Sequence, residues 1–283
     1  MEGGDAVRRT YKDYLNLGKY AHGYGILWMG RRAAYTALAF IMAAISFAAE
    51  PSPMELRPGQ YVMEDGVGSL SINAASAGQQ SFRISVEGAN RSTCDVSGKI
   101  EAGKANVTLP ATEHILVCKI DFQDAGDVVS VKIRESSPEW QQCRNALCGL
   151  RATFEGRYLA VPQECTSSVR RDTEVRFTHL MRAKRYQQAY DTLSAVQSQC
   201  TRFLGPVEID EVHNDLATAL HRLDRDQKCL DELKSTQGAA ADNLAELKKR
   251  YVGLPDDLER YLPVAQTTWR LQELCHRTRG PGG

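Results

Sequence analysis

Ser81-Phe82-Arg83-Ile84-Ser85-Val86 sets polar and apolar side chains in strict turn. Successive side chains of a strand point to opposite faces, so this segment has one apolar face and one wet face. The same period of two runs through Ser69-Leu70-Ser71-Ile72-Asn73 and Asp127-Val128-Val129-Ser130-Val131-Lys132-Ile133. His114 to Phe122 is a longer run with Cys118 inside it. Such alternation marks half-buried antiparallel strands. Turn signals separate the runs at Asp65-Gly66, Ala77-Gly78, Glu87-Gly88, Ala102-Gly103 and Ala125-Gly126. The spacing predicts a small antiparallel β-barrel or sandwich of about seven strands over residues 56–160. Ser137-Pro138-Glu139 reads as a helix start, and a short helix is expected over about 138–148. Cys148 to Tyr158 then serves as a last strand or as extended cover.

After Pro162 the period changes to 3.6. Val169, Thr173, Phe177, Leu180 and Met181 share one face, and Tyr186, Ala189, Tyr190, Leu193 and Val196 make a second stripe that ends at Cys200. Further stripes run from Ile209 to Leu223, through Leu230 and Leu233, over Leu244-Leu247-Tyr251, and over Leu258-Leu262-Ala265-Trp269. Breaks fall at Gly205-Pro206, Gly238 and Gly253-Leu254-Pro255. The class is therefore α+β: a β domain followed by antiparallel helical hairpins over residues 166–277.

Two of these hairpins carry a resemblance. Phe177-x-x-Leu180 with Arg185-Tyr186-x-x-Ala189-Tyr190-x-x-Leu193 resembles a tetratricopeptide-type (TPR-like) helix pair. Asn214-Asp215-Leu216-Ala217-x-Ala219-Leu220-His221-x-Leu223, followed by Cys229-Leu230-x-x-Leu233, is similar to a second. From Phe177 to Leu216 the distance exceeds the family period of about 34 residues. The resemblance implies a stacked array whose groove holds peptides or partner domains.

Ala33 to Ala49 is free of charge, follows Arg31-Arg32, and exits through Ser46-Phe47-Ala48-Ala49 into Glu50-Pro51. A basic flank, a short apolar core and small residues at the exit describe a secretory signal peptide over 29–49. Cleavage after Ala48 puts Ser46 and Ala48 at the small positions. Residues 1–28 are polar and rich in Tyr and Gly, so Met29 is the expected start, with a long n-region as the alternative. The leader is short for a span of about 20 apolar residues, although an uncleaved anchor is the competing reading. Removing residues 1–49 takes away six Lys/Arg and three Asp/Glu, which leaves 29 basic and 32 acidic side chains and a net charge of −3. That balance argues against nucleic acid and against a polybasic membrane surface.

All eight cysteines follow the leader: Cys94, Cys118, Cys143, Cys148, Cys165, Cys200, Cys229 and Cys275. An even number behind an export signal reads as disulfides in an oxidising compartment, here the bacterial periplasm, with secretion as the alternative. No Cys-x-x-Cys pair or Cys with a nearby His supports zinc, so no metal or cofactor is expected. The pairing expected is Cys94–Cys118, Cys143–Cys148, Cys165–Cys200 and Cys229–Cys275. Residues five apart in a helix are separated by about 7.5 Å along its axis. That exceeds the roughly 7 Å limit of a disulfide, so a Cys143–Cys148 bridge requires the helix to end between them, near Gly149.

No Gly-x-Ser-x-Gly elbow, phosphate loop or His-Glu-x-x-His helix is present. Glu155 is the one carboxylate that invites a catalytic reading, and it lacks a second at defined spacing, so a surface or salt-bridged role is expected. His213 and His221 lie eight apart on one helix, too distant for one ion without a third element, so ordinary polar helix positions are expected. Asn90-Arg91-Ser92 and Asn106-Val107-Thr108 match the glycosylation pattern, which is inert in a bacterial cell. No residue is assigned to catalysis. Arg170, Arg171, Tyr186, Tyr190, His213 and Trp269 are the candidate partner-binding residues, the two arginines because they oppose the dipole at a helix start and the aromatics as anchors. The leading expectation is a non-enzymatic envelope protein that binds another protein. An inhibitor or immunity protein against a periplasmic toxin or hydrolase is one version, and an assembly factor is the generic one. An enzyme acting on cell wall or lipid and a small-ligand or structural protein are the other classes.

Overall fold

The computed structural model describes residues 55–64, 67–76, 78–110, 115–135 and 139–277. The leader over 29–49, the Met29 start, the Ser137-Pro138 helix start and the tail after Arg277 lie outside them. Eight strands form a closed antiparallel barrel in chain order: β1 (Gly59–Met63), β2 (Gly68–Ile72), β3 (Gln80–Glu87), β4 (Thr93–Glu101), β5 (Lys104–Pro110), β6 (Ile115–Asp124), β7 (Val128–Ile133) and β8 (Gly156–Ala160). β8 closes the ring by pairing with both β7 and β1. Alternation becomes burial directly, since Gln80 to Glu87 are buried and exposed in turn. A barrel of eight strands has an interior just wide enough for side chains. Tyr61, Phe82, Ile84, Ile120, Phe122 and Tyr158 fill it, with Phe82 and Phe122 edge to face at 4.9 Å. Burying each such side chain contributes roughly 1.5–3 kcal/mol.

One strand pair is incomplete. β4 and β5 leave the turn at Ala102-Gly103 in register at Ile100↔Ala105 and Glu101↔Lys104, and pair no further. A short helix, α1 (Trp140–Leu147), packs against β4, β6 and β7. It puts Cys143 and Leu147 into the barrel core. Two disulfides hold it there: Cys118–Cys143 to β6, and Cys94–Cys148 to β4. The expected Cys94–Cys118 and Cys143–Cys148 pairs are therefore incorrect. β5 lies between β4 and β6, and two strand spacings of about 4.8 Å exceed the reach of a disulfide. Cys143 sits inside the helix and Cys148 just beyond its end, so each reaches a different strand. Glu155 is salt-bridged as expected: it accepts from Ile133 N at 3.1 Å and pairs with Arg144 of α1 at 3.0 Å.

Six helices follow: α2 (Ser167–Arg182), α3 (Tyr186–Cys200), α4 (Pro206–Arg222), α5 (Asp226–Leu233), α6 (Leu244–Arg250) and α7 (Pro255–Arg277). α2 packs on α3, α3 on α4, α4 on α5, and α7 on both α4 and α5. The α2–α3 and α4–α5 turns have the same geometry. Arg185 N bonds Leu180 O and Lys184 N bonds Met181 O, while Arg225 N bonds Leu220 O and Asp224 N bonds His221 O. These are paired Schellman closures, with Lys184 (φ 57) and Asp224 (φ 56) in the left-handed position that normally goes to Gly. The hairpins thus repeat at 40 residues, from Leu180 to Leu220.

Cys165–Cys200 ties the approach to α2 to the end of α3, and Cys229–Cys275 clamps α7 onto α5, both as expected. The two halves share apolar packing: Leu159, Val62 and Val128 of the barrel join Cys165, Phe177, Leu193 and Phe203 in one cluster. All described residues belong to one compact unit. Among them, no helix is long and apolar enough to cross a membrane.

Candidate functional site

The outward face of β1–β3 and the starts of α2 and α4 enclose a hollow of about 480 Å³. Its floor is Val62, Ser69, Ser71 and Ser85, all set outward by the strand period. Its wall is Ser167, Arg170, Phe203 and Glu208. A second hollow of about 400 Å³ lies between the barrel rim at Gly88, Ala89 and Arg151 and the helical residues Val207, Tyr251, Asp257 and Arg260. Val67 and Glu87 line both, so the two meet there.

The charges along this cleft are already matched. Arg170 pairs with Glu208 at 2.9 Å and donates to Cys165 O at 2.7 Å. Arg260 pairs with Glu87 at 2.9 Å, across the seam between α7 and β3. Asn90 N donates to Asp257, and both Asn90 Nδ2 and Arg151 donate to Gly253 O, each at 2.9–3.0 Å. The Asn90 amide is thus committed to the seam. Gly88 is required by close approach: a Cβ there would lie 2.1 Å from Arg151 O. The serines make only long bonds back to β3 carbonyls, 3.4 Å from Ser69 and 3.5 Å from Ser71. No His or Cys lines either hollow. A nucleophile needs an adjacent base, and the lining carboxylates are occupied by arginines or backbone. The surface can hydrogen-bond and exclude water, but the described residues offer no catalytic pair within it.

Below the cleft, α2 and α4 bring Glu174, Glu208, Glu211 and Asp215 around a hollow of about 30 Å³. Burial raises the Asp215 carboxyl to about 6, and the like charges of Glu174 and Glu211 push the same way. Glu211 is raised for the same reasons, burial first. Elsewhere, Asp210 accepts from Tyr261 Oη and from Gln237 N. Burial and that bond push the Tyr261 hydroxyl well above its usual range. His221, Asp226 and Cys275 offer donor atoms within 4.8 Å of one another, but Cys275 is bonded to Cys229 and has no thiolate to give.

The six residues singled out from sequence do not converge. Arg170 alone lines the cleft. Arg171 is exposed beside it, and Tyr186 is half-buried. Tyr190 packs between two core clusters. His213 bonds Glu232 at 2.7 Å, and Gln197 joins them. Trp269 packs on the α6–α7 core and donates to Gly238 O and Ala241 O. Sequence reading missed Val67, Glu87, Phe203 and Arg260, because the pairs that build the cleft are distant in the chain: Glu87 and Arg260 are separated by 173 residues. No protein-family model, curated protein or solved structure matches this chain.

Proposed function

We propose that this is a protein-binding protein of the bacterial envelope, and that the cleft between barrel and helices is its docking groove. The four disulfides fit an exported protein held in an oxidising compartment. The observation that carries the binding reading is the pair of joined hollows, about 480 and 400 Å³, in a wall whose charges are paired. A partner meeting this wall displaces water from the partly exposed Val62 and Tyr251 without stranding a buried charge. The narrower version is an inhibitor or immunity protein that neutralises a periplasmic toxin or hydrolase. Cross-linked elements lose little freedom on binding, which favours tight complexes.

The competing class is an enzyme acting on cell wall or lipid. Asp215 is the observation in its favour, because a carboxyl raised to about 6 suits general acid work. The adjoining hollow of about 30 Å³ holds only a water or two, which is no substrate site.

The test is a periplasmic pull-down read by mass spectrometry with the native chain and a cleft-filled Ser85→Trp variant. A partner retained by the native chain and lost by the variant supports the reading. Hydrolysis of peptidoglycan or lipid by the pure protein, with no partner recovered, overturns it.

A further inference from the structure

The two Schellman turns fix where charge sits. Three-residue connections make α2 antiparallel to α3, and α4 antiparallel to α5, with α3 packed on α4. Both turns therefore emerge at one edge of the array, with α3 between α2 and α4. At helix spacings of 8–10 Å they stand about 15–20 Å apart. The 40-residue repeat places Arg182, Lys184 and Arg185 on the first turn and Arg222, Arg225 and Lys228 on the second. All six are exposed, and no salt bridge among the described residues engages any of them. The opposite edge mixes signs: Arg170 and Arg171 at the start of α2 stand there with Glu208 and Glu211 at the start of α4, and Arg170 pairs with Glu208. At the turn edge the six cations outnumber the exposed Asp224 between them, and Asp226 is paired with His221. Like charges gathered this way repel one another and oppose compaction.

We infer that the basic turn edge is a second docking surface, for an acidic segment of a protein partner. The inference rests on the protein-binding reading above and adds the chemistry of the partner. Four of the six cations are arginines, whose planar forks take carboxylates in bidentate geometry. They stand on rigid turns in a fixed register, which suits carboxylates held at fixed positions on a folded surface. Met181, Tyr186 and Leu223, the large side chains beside the six, are each partly buried, so none stands free to insert below a lipid headgroup layer.

The test uses the oxidised full chain with poly-L-glutamate as probe, followed by fluorescence anisotropy. Vesicles of phosphatidylglycerol provide the lipid arm. Binding to poly-L-glutamate should weaken about tenfold or more as salt rises from about 50 to about 300 mM. It should fall by a similar factor in the combined Arg182→Glu, Arg185→Glu, Arg222→Glu and Arg225→Glu variant. The corresponding Gln set should lie between, and it carries the same test if the reversed chain does not fold. Ser85→Trp, which blocks the cleft, should bind the probe normally. Reversed or neutralised variants that bind as the native chain does overturn the inference. So does a native chain that binds the vesicles and ignores poly-L-glutamate. A partner lost by Ser85→Trp but kept by the edge variants would leave the cleft reading standing and remove this one.

Discussion

The barrel and the helical array solve the same problem differently. In the barrel one contiguous core runs through all eight strands and α1. Among the described residues its single buried polar side chain is Gln80, satisfied by Leu56 N and O at 2.8 and 2.7 Å. The helices bury three smaller clusters instead. Between them lie the buried polar residues Asp210, Asn214, Thr236 and Thr268. Asn214 bonds Val264 O and accepts from Thr268, so α4 is stitched to α7 by hydrogen bonds as well as by packing. Each region has two disulfides, but they do different things. Those of the barrel hold one short helix against an incomplete strand pair, while those of the helices join elements of a larger packed array.

That contrast predicts which bridge matters more. The chain-entropy account ranks bridges by loop length, and gives about 3.5 kcal/mol for Cys118–Cys143 and about 4 kcal/mol for Cys229–Cys275. Their separations are 25 and 46 residues. Loss of Cys118–Cys143 also loosens α1, which Cys94–Cys148 then holds only at its end, and so weakens the cover over the core beneath. With about 1–2 kcal/mol added for the extra apolar exposure, the double variant Cys118→Ala/Cys143→Ala should therefore cost more than Cys229→Ala/Cys275→Ala, by about 0.5–1.5 kcal/mol. Denaturant unfolding of the two variants gives the order. An order that follows loop length alone would remove the special role given to α1.

A smaller effect separates the regions by pH. Asp215 titrates at about 6 in the folded chain, against 3.8 for the free side chain. Burial is the first cause, and the repulsion of Glu174 and Glu211 the second. The folded state therefore holds this proton more tightly than the unfolded chain does. Stability from this group rises as pH falls from about 7 towards 4, which is the reverse of an ion-paired carboxylate. Asp215→Asn should stabilise the chain at pH 7 by roughly 1–3 kcal/mol. The gain should shrink to a fraction of that near pH 4 and vanish below about pH 3, where both states are protonated. The barrel carries the opposite case: the bond from Arg134 holds the Asp121 carboxyl below its usual range. Asp121→Asn should cost stability at pH 7, and its effect should fade in acid. Urea midpoints at about pH 2.5 and pH 7 distinguish the two signs.

Much of the architecture was readable in local pattern. Alternation at Ser81 to Val86 and at Asp127 to Ile133 became β3 and β7, because period two has one structural meaning when one face is buried. Pro206 and Pro255 begin helices where the breaks were expected. The pairing of Cys165 with Cys200 and of Cys229 with Cys275 was readable because each joins neighbouring helices. The barrel cysteines were not, since their pairing depends on β5 standing between β4 and β6, a fact of topology rather than of spacing. The cleft was hidden for the same reason. Tyr190 and Trp269 show a further limit: an aromatic on a helix stripe reads alike whether it meets a partner or its own core.

The smallest expected effect concerns turns found in both regions. Lys184, Asp224 and, at the β4–β5 turn, Ala102 (φ 47) all hold left-handed backbone without being Gly. A side chain there costs about 1–2 kcal/mol by contact of Cβ with the following carbonyl. Gly removes that cost but adds about 0.4–1 kcal/mol of unfolded-chain entropy. The balance favours Lys184→Gly by about 0.5–1 kcal/mol. Asp224→Gly should gain less, because Asp tolerates this conformation through local hydrogen bonds. Ala102→Gly should match Lys184→Gly, since the strain is a property of the residue's own backbone and not of helix or sheet. The sites are far apart in the chain and share no partner, so the gains should add. Lys184→Ala is the control and should leave stability unchanged, because a methyl group meets the same carbonyl. Thermal unfolding of the four single variants and of the triple Gly variant measures all of this. A Lys184→Gly chain less stable than the native one would mean that the lysine's contacts, and not its backbone, hold the first turn.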